Sequence, residues 1–360
     1  MKYHVDLKKN DPAYLQLYIA LREDIVGGVY TFGARLPSKR LLSEETGVSV
    51  ITVEHAYSIL CDEGYAESRE RSGYYVIYRE KDFISVGEAP AARKIPEKAV
   101  DHSASSFPFS VLSKTMRRVL SEYGERILIK SPSRGCDELI EAIRAYLARS
   151  TGISVRSEQI IIGAGAEYLY GLIVQLIGQD RVFAIEDPSY EKIENVYRAY
   201  GVRYDKLALA QDGIKTSELE RSEATVLHIT PFNSFPSNVT ADASKRNEYI
   251  RFAKERNGYI VEDNFDSELT VSTKTEDTVF SLDPDGSVIY INTFSHTIAP
   301  SFRVGYMLLP SALLEIFDKN LGFYSCTVPV FEQYTIAELI NSGDFERHIN
   351  RVRRTRRKNR

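Results

Sequence analysis

Three short segments place side chains of complementary chemistry directly after apolar runs. Gly163-Ala164-Gly165-Ala166-Glu167 leaves the run 159–162 and opens a helical pattern over 166–176. Backbone N–H groups of Gly165, Ala166 and Glu167 at such a helix start are suited to hold a phosphate. Asp187-Pro188-Ser189-Tyr190 follows the run 182–185, and Tyr190 offers a face on which a flat ring can stack. Glu262-Asp263-Asn264-Phe265-Asp266-Ser267-Glu268 follows 259–261. Asp263 there is either a strand-end cap or the partner of a protonated ring nitrogen. Gly163-Ala164-Gly165 is not a dinucleotide fingerprint, because Tyr168 stands where a third glycine is needed. His4, His55, His102, His228 and His348 are scattered without metal-ligand spacing, so no metal is expected.

A second group of polar residues lies near the N-terminus. Ser49 and Thr52 stand at the start of one helical pattern, and Lys39 and Arg40 open the one before it. Arg69 and Arg71 flank a polar turn in a strand-like stretch. Hydroxyls, helix-start N–H groups and guanidiniums are the groups that hold nucleic-acid phosphates.

The elements that carry these residues can be read from periodicity and punctuation. Asp11-Pro12 suggests a capped helix start, followed by Tyr14, Tyr18, Leu21 and Ile25 at helical spacing and stopped by Gly27-Gly28. Ser38 is expected to cap a second helix ending at Gly47. Ser49 is expected to cap a third, with Val53, Ala56, Tyr57 and Leu60 on its buried face. The break at Thr46-Gly47-Val48 is short enough for a helix-turn-helix. Residues 65–78, interrupted by Glu70-Arg71-Ser72-Gly73, read as a hairpin. From 106 onward, apolar runs at 159–162, 182–185, 226–229, 259–261 and 288–291 read as buried strands. Helical patterns at 138–148, 166–176 and 243–256 lie between them. Such alternation predicts an α/β sheet with helices on both faces and ligands at the strands' C-terminal ends.

The segment Leu36-Pro37-Ser38 through Gly47-Val48-Ser49, Thr52-Val53, Ala56-Tyr57, Leu60, Gly64-Tyr65 and Gly73 resembles the GntR-type winged helix over residues 12–78. It departs at Val50, where the family usually has arginine. The later segments resemble a pyridoxal-phosphate site. Thr293-Phe294-Ser295-His296-Thr297-Ile298-Ala299-Pro300-Ser301-Phe302-Arg303 looks like the stretch that carries the cofactor-anchoring lysine, with a phosphate-binding arginine seven residues on. Together the halves are similar to the MocR family, whose bodies are fold-type I aminotransferase domains. The resemblance implies Tyr190 as ring stacker, Asp263 as pyridinium partner, and Thr293, Ser295 and Arg303 near the phosphate. The lysine position is His296, and Phe265 stands where a tyrosine usually meets the ring's phenolic oxygen. The segment usually reading proline-serine-histidine-glutamine is Pro231-Phe232-Asn233-Ser234.

The implied organisation is a winged-helix DNA-binding domain at 1–78, a linker at 79–105 and an aminotransferase-like domain at 106–360. The expected function is a DNA-binding transcription regulator without catalytic residues. The body is expected to dimerise, to sense a small-molecule effector, and to bind pyridoxal phosphate weakly and noncovalently if at all. The alternative is an aminotransferase with a DNA-binding head that uses another lysine, such as Lys274. A third reading is a subunit that pairs with an intact paralogue. The basic run from Arg351 to Arg360 reads as the helix entering a small C-terminal domain, cut short, in preference to a DNA-binding tail.

The totals agree with this. The chain has 360 residues, long enough for two domains, with 43% hydrophobic and 27% charged residues. With 46 Lys and Arg against 50 Asp and Glu, the net charge is −4, so nucleic-acid affinity needs a local basic surface. Three cysteines without a CxxC pair suggest neither a disulfide framework nor zinc and fit a reducing cytoplasm. No apolar run reaches the roughly 20 residues of a membrane span. The double-stranded DNA operator is therefore the expected macromolecular partner, with no membrane.

Overall fold

The computed structural model describes residues 3, 5, 11–69, 72–79, 107–265, 267–270, 277–284 and 286–358. They fall into two compact units, Met1–Lys98 and Ala99–Arg360. Arg71 and Lys274 lie outside the described residues, as does the expected linker apart from Arg79.

In the first unit, helices α1 (Ala13–Val26), α2 (Lys39–Thr46) and α3 (Val50–Asp62) precede an antiparallel hairpin, β1 (Ala66–Arg69) with β2 (Gly73–Val76). The local chemistry explains the breaks. Ser38 Oγ accepts the Leu41 N–H at 3.2 Å, and Ser49 Oγ accepts the Thr52 N–H at 3.1 Å, each satisfying a helix-start donor. Gly47 ends α2 at φ 71°, a left-handed conformation that suits glycine and turns the chain tightly into α3. The start of α1 differs from the expectation. Pro12 occupies the cap position with no side-chain hydrogen bond, and Asp11 contributes its carbonyl to Gln16 Nε2 at 2.8 Å. Leu17, Leu21, Leu42, Val53, Ala56, Tyr57 and Leu60 form the core, closed by Ala66 and Val76 from the hairpin.

The second unit is built on a mixed sheet. Among the described residues its strand order is β3-β10-β9-β8-β7-β4-β5-β6. The strands are β3 (Ile160–Gly163), β4 (Phe183–Asp187), β5 (Tyr204–Ala210), β6 (Gly213–Ile214), β7 (Val226–Ile229), β8 (Tyr259–Asp263), β9 (Val288–Thr293) and β10 (Gly305–Leu308). β5, β4, β7, β8 and β9 run parallel. β10 is antiparallel to both β9 and β3, so β3 points the same way as β9. The C-terminal ends of β3, β4, β7, β8 and β9 therefore share one edge.

Both faces of the sheet are covered, as continuous apolar strands require. Alternate residues feed two cores: Ile260, Val288 and Tyr290 face one, Val261, Ile289 and Ile291 the other. The first core takes side chains from α5 (Asp137–Ser150), α9 (Ala243–Glu255), α12 (Val330–Asn341) and α13 (Asp344–Lys358). The second takes them from α6 (Ala166–Ile177), α7 (Glu191–Ala199) and α11 (Leu314–Leu321). α4 (Phe109–Tyr123), α8 (Thr216–Arg221) and α10 (Val279–Leu282) complete the helices named here. Buried Glu262 accepts the Val279 and Phe280 N–H groups at 3.0 and 2.7 Å, fixing the start of α10, and burial pushes its carboxyl up to about 7.

Helix α13 carries the basic run. It buries Phe345, His348, Ile349 and Val352 against the body. Arg353 Nε donates to the Glu268 carbonyl at 2.5 Å, and Arg356 Nη1 to the Leu269 carbonyl at 3.1 Å. Those two guanidiniums bind the backbone of residues 268–269.

Candidate functional site

At the shared strand edge a cavity of about 330 Å³ opens. Ala166, Glu167, Tyr190, Asp263, Thr293, Ser295, His296 and Arg303 all line it, together with Phe265. Gly165 borders it differently. It caps α6 at φ 89°, and a Cβ there would come within 2.6 Å of Arg303 Nη2. Glycine is thus what lets the guanidinium lie against the start of α6, where no side chain caps the helix. The Gly165 N–H donates to the Gly163 carbonyl at 2.8 Å, and the helix dipole and the Arg303 guanidinium make this end suited to an anion.

The other end of the cavity is buried. Asp263 ends β8 at 3% exposure. Its Oδ2 accepts a hydrogen bond from the Tyr170 hydroxyl, while its Oδ1 has no hydrogen-bond partner among the described residues. Burial pushes the carboxyl up to about 6, against the pull of Tyr170 and of the Phe265 backbone N–H. A buried acceptor without a donor costs stability, so it fits a ligand that brings a protonated nitrogen. Behind it Tyr170 meets the His228 ring edge-on at 5.0 Å, and His228 Nδ1 shares a 2.6 Å hydrogen bond with Tyr197. Burial holds that imidazole neutral, its pKa pushed down to about 3.

Aromatic rings form the walls. Tyr190 meets Phe235 edge-on at 6.2 Å, and Phe265 meets His296 edge-on at 5.9 Å and 89°. Ser295 Oγ donates to the Phe302 carbonyl at 2.8 Å, which ties the loop carrying His296 to the one leading to Arg303. Glu167 accepts from Lys192 Nζ at 2.6 Å and forms an ion pair with Arg303. Burial alone would raise the Glu167 carboxyl, but Lys192, its own N–H and Arg303 together hold it below the usual value.

Sequence reasoning missed Tyr170, Lys192, Thr230 and Phe235, which also line the cavity. Tyr170 lies in the apolar stretch 169–174 of α6 and reads as core. Lys192 lies two residues past Tyr190, a spacing that could have drawn attention to it. Among the described residues, no group of three or more His, Cys, Asp and Glu is placed to hold a metal ion. No described helix is long and apolar enough to cross a membrane.

In the first unit the expected residues are only partly engaged. Lys39 Nζ lies 2.7 Å from Glu54, and Arg69 lies 2.6 Å from Glu67 with its guanidinium 4.4 Å over the Tyr75 ring. Exposed pairs of this kind contribute about 0–1 kcal/mol, so either cation can exchange its carboxylate for a phosphate. Arg40 is exposed and has no ion pair among the described residues. Ser49 and Thr52 share a hydrogen bond at 2.8 Å. Arg35, not singled out from sequence, lies beside Gly73 in the hairpin.

Comparison with known proteins accounts for both units. Residues 13–76 match the model of the bacterial regulatory proteins of the gntR family, and residues 100–360 that of aminotransferase class I and II. The chain is 32% identical to the uncharacterized HTH-type transcriptional regulator YdeL of Bacillus subtilis, covering 97% of this chain and 78% of the relative. It is 28% identical to the probable rhizopine catabolism regulatory protein MocR of Rhizobium meliloti, covering 97% and 76%. The α-aminoadipate aminotransferase LysN of Thermus thermophilus superposes with a TM-score of 0.61 at 27% identity. That match covers 69% of this chain and 64% of LysN.

Proposed function

The chain belongs to the MocR-type family of HTH transcriptional regulators, a gntR-family head followed by an aminotransferase class I and II body, and from that premise we propose a role for each half. The head binds duplex DNA. Arg40, Lys39, Ser49, Thr52, Arg69 and Arg71 contact phosphates in this reading, and two heads of a homodimer read a repeat or palindrome.

The body senses a small ligand and does not transfer amino groups. Pyridoxal phosphate, where bound, supplies an electron sink for amino-acid chemistry. Asp263 would hold the ring nitrogen, Tyr190 would stack on the ring, and Thr293, Ser295, Arg303 and the Ala166 N–H at the start of α6 would hold the phosphate. The single observation behind this is Asp263 Oδ1, buried and without a donor at the end of an aromatic-walled cavity. The same cavity presents an imidazole at position 296, which cannot form the covalent link that the chemistry begins from. Lys192 supplies an amine, but its Nζ is held by Glu167 at 2.6 Å. Binding is therefore noncovalent and weak.

Incubating the purified chain with an amino donor, a keto acid and pyridoxal phosphate should give no amino transfer above that of free pyridoxal phosphate. Steady turnover that disappears on Lys274→Ala or Lys192→Ala would establish the enzyme instead.

A further inference from the structure

We propose that α3 reads its DNA site through two exposed aliphatic side chains, Val50 and Ile51, and so specifies thymine methyl groups rather than guanine. The inference rests on the head binding duplex DNA and goes beyond it to the bases chosen.

The sequence of α3 is VITVEHAYSILCD. It contains no arginine, lysine, asparagine or glutamine, the side chains that read guanine or adenine edges with paired hydrogen bonds. The polar groups that the helix does carry near its start have local partners, and none of them is of the type that makes those paired hydrogen bonds. Thr52 Oγ1 bonds Ser49 Oγ at 2.8 Å, Glu54 bonds Lys39 at 2.7 Å, and the His55 ring stacks on Tyr14 with centroids 4.0 Å apart.

The first turn, by contrast, leaves Ile51 78% and Val50 40% exposed. Helices that enter the major groove contact base edges with this turn. On both sides of these residues are groups suited to phosphate: the Ser49 and Thr52 hydroxyls on α3 and exposed Arg40 on α2. The aliphatic pair is thus framed by the residues that would seat the helix in the groove. Successive helical residues point about 100° apart, so the two side chains address neighbouring positions rather than one. The apolar group that a base pair shows in the major groove is the C5-methyl of thymine.

Covering one methyl group is worth a factor of about four in affinity, from roughly 0.8 kcal/mol per buried carbon. The test uses the full chain. Sites are selected from a random duplex pool, and the enriched site is resynthesised with deoxyuridine replacing each thymine in turn, which removes only the methyl. Uracil at one or two positions of each half-site should weaken binding about fourfold apiece, and elsewhere it should be neutral. The Val50→Ala, Ile51→Ala chain should bind more weakly and should no longer distinguish thymine from uracil. A site that tolerates uracil everywhere overturns the proposal and leaves DNA binding intact. So does a uracil penalty that persists unchanged in the double variant. Selection of no site overturns the proposal together with the reading it rests on.

Discussion

Replacing His296 by lysine and Phe265 by tyrosine together should convert a chain from which borohydride traps no pyridoxal phosphate into one that carries it on most molecules. Both positions line the cavity, and the two native rings pack edge-on there at 5.9 Å. The features that would orient the ring are independent of them. Asp263 Oδ1 still awaits a donor, and Tyr190 and Phe235 still flank the opening. In the native chain, retention rests on stacking, the Asp263 pair and the phosphate contacts, each worth on the order of 1–3 kcal/mol. Such contacts include no imine, so borohydride has no bond through which to fix the cofactor to the chain. An amine at position 296 supplies the bond, and a phenol at 265 gives the ring oxygen a partner. Mass spectrometry after reduction should locate the label on the side chain introduced at 296. A label on Lys192 or Lys274 of the native chain would contradict the noncovalent reading. A folded double variant without label would mean that the cavity differs from a cofactor site at more than these two positions.

Truncating Tyr57 to alanine should abolish DNA binding while leaving the unfolding of the body unchanged. Tyr57 is fully buried in the head's core. Its hydroxyl donates to the Pro37 carbonyl at 2.7 Å, just before the Ser38 cap of α2, and its ring lies 4.6 Å from that of Tyr74 in the hairpin. One side chain therefore ties α3 to the start of α2 and to β2. Removing a buried aromatic ring costs about 3–5 kcal/mol, a large part of the roughly 5–15 kcal/mol that stabilises a small domain. Tyr57→Phe keeps the ring and gives up a hydrogen bond worth about 1 kcal/mol, so it should bind DNA nearly as the native chain does. Denaturation followed separately in the two units checks both variants. Unchanged binding by Tyr57→Ala would show that this core does not organise the DNA-contacting surface.

The features legible in the sequence were those set by local chemistry. Ser38 and Ser49 cap their helices because a hydroxyl three residues before a free N–H needs no distant partner. Strands β3, β4, β7, β8 and β9 show as apolar runs because both of their faces are covered. β10 is not legible, because its four residues follow closely on the loop that carries Arg303 and its role depends on non-local pairing with β3 and β9. β5 has the mixed sequence YDKLALA and buries only Leu207 fully. In the cavity, the resemblance to a pyridoxal-phosphate site pointed to eight of the lining residues. It could not show that Glu167 would bridge Arg303 and Lys192, nor that Tyr170 would leave one oxygen of Asp263 without a donor. The basic run of α13 reads as a helix rather than a nucleic-acid tail, and its Arg353 and Arg356 bind the carbonyls of residues 268–269.

In the proposed role, the head of this chain holds duplex DNA through its phosphates. Binding of the full chain to a pool of genomic duplex fragments, measured across a salt series, tests it most directly. Affinity should fall steeply and linearly on a log–log plot, with a slope of about −0.9 for each phosphate neutralised. Arg40→Ala should make that slope shallower by about one such unit. Affinity independent of salt, or no binding at any salt concentration, would contradict the account.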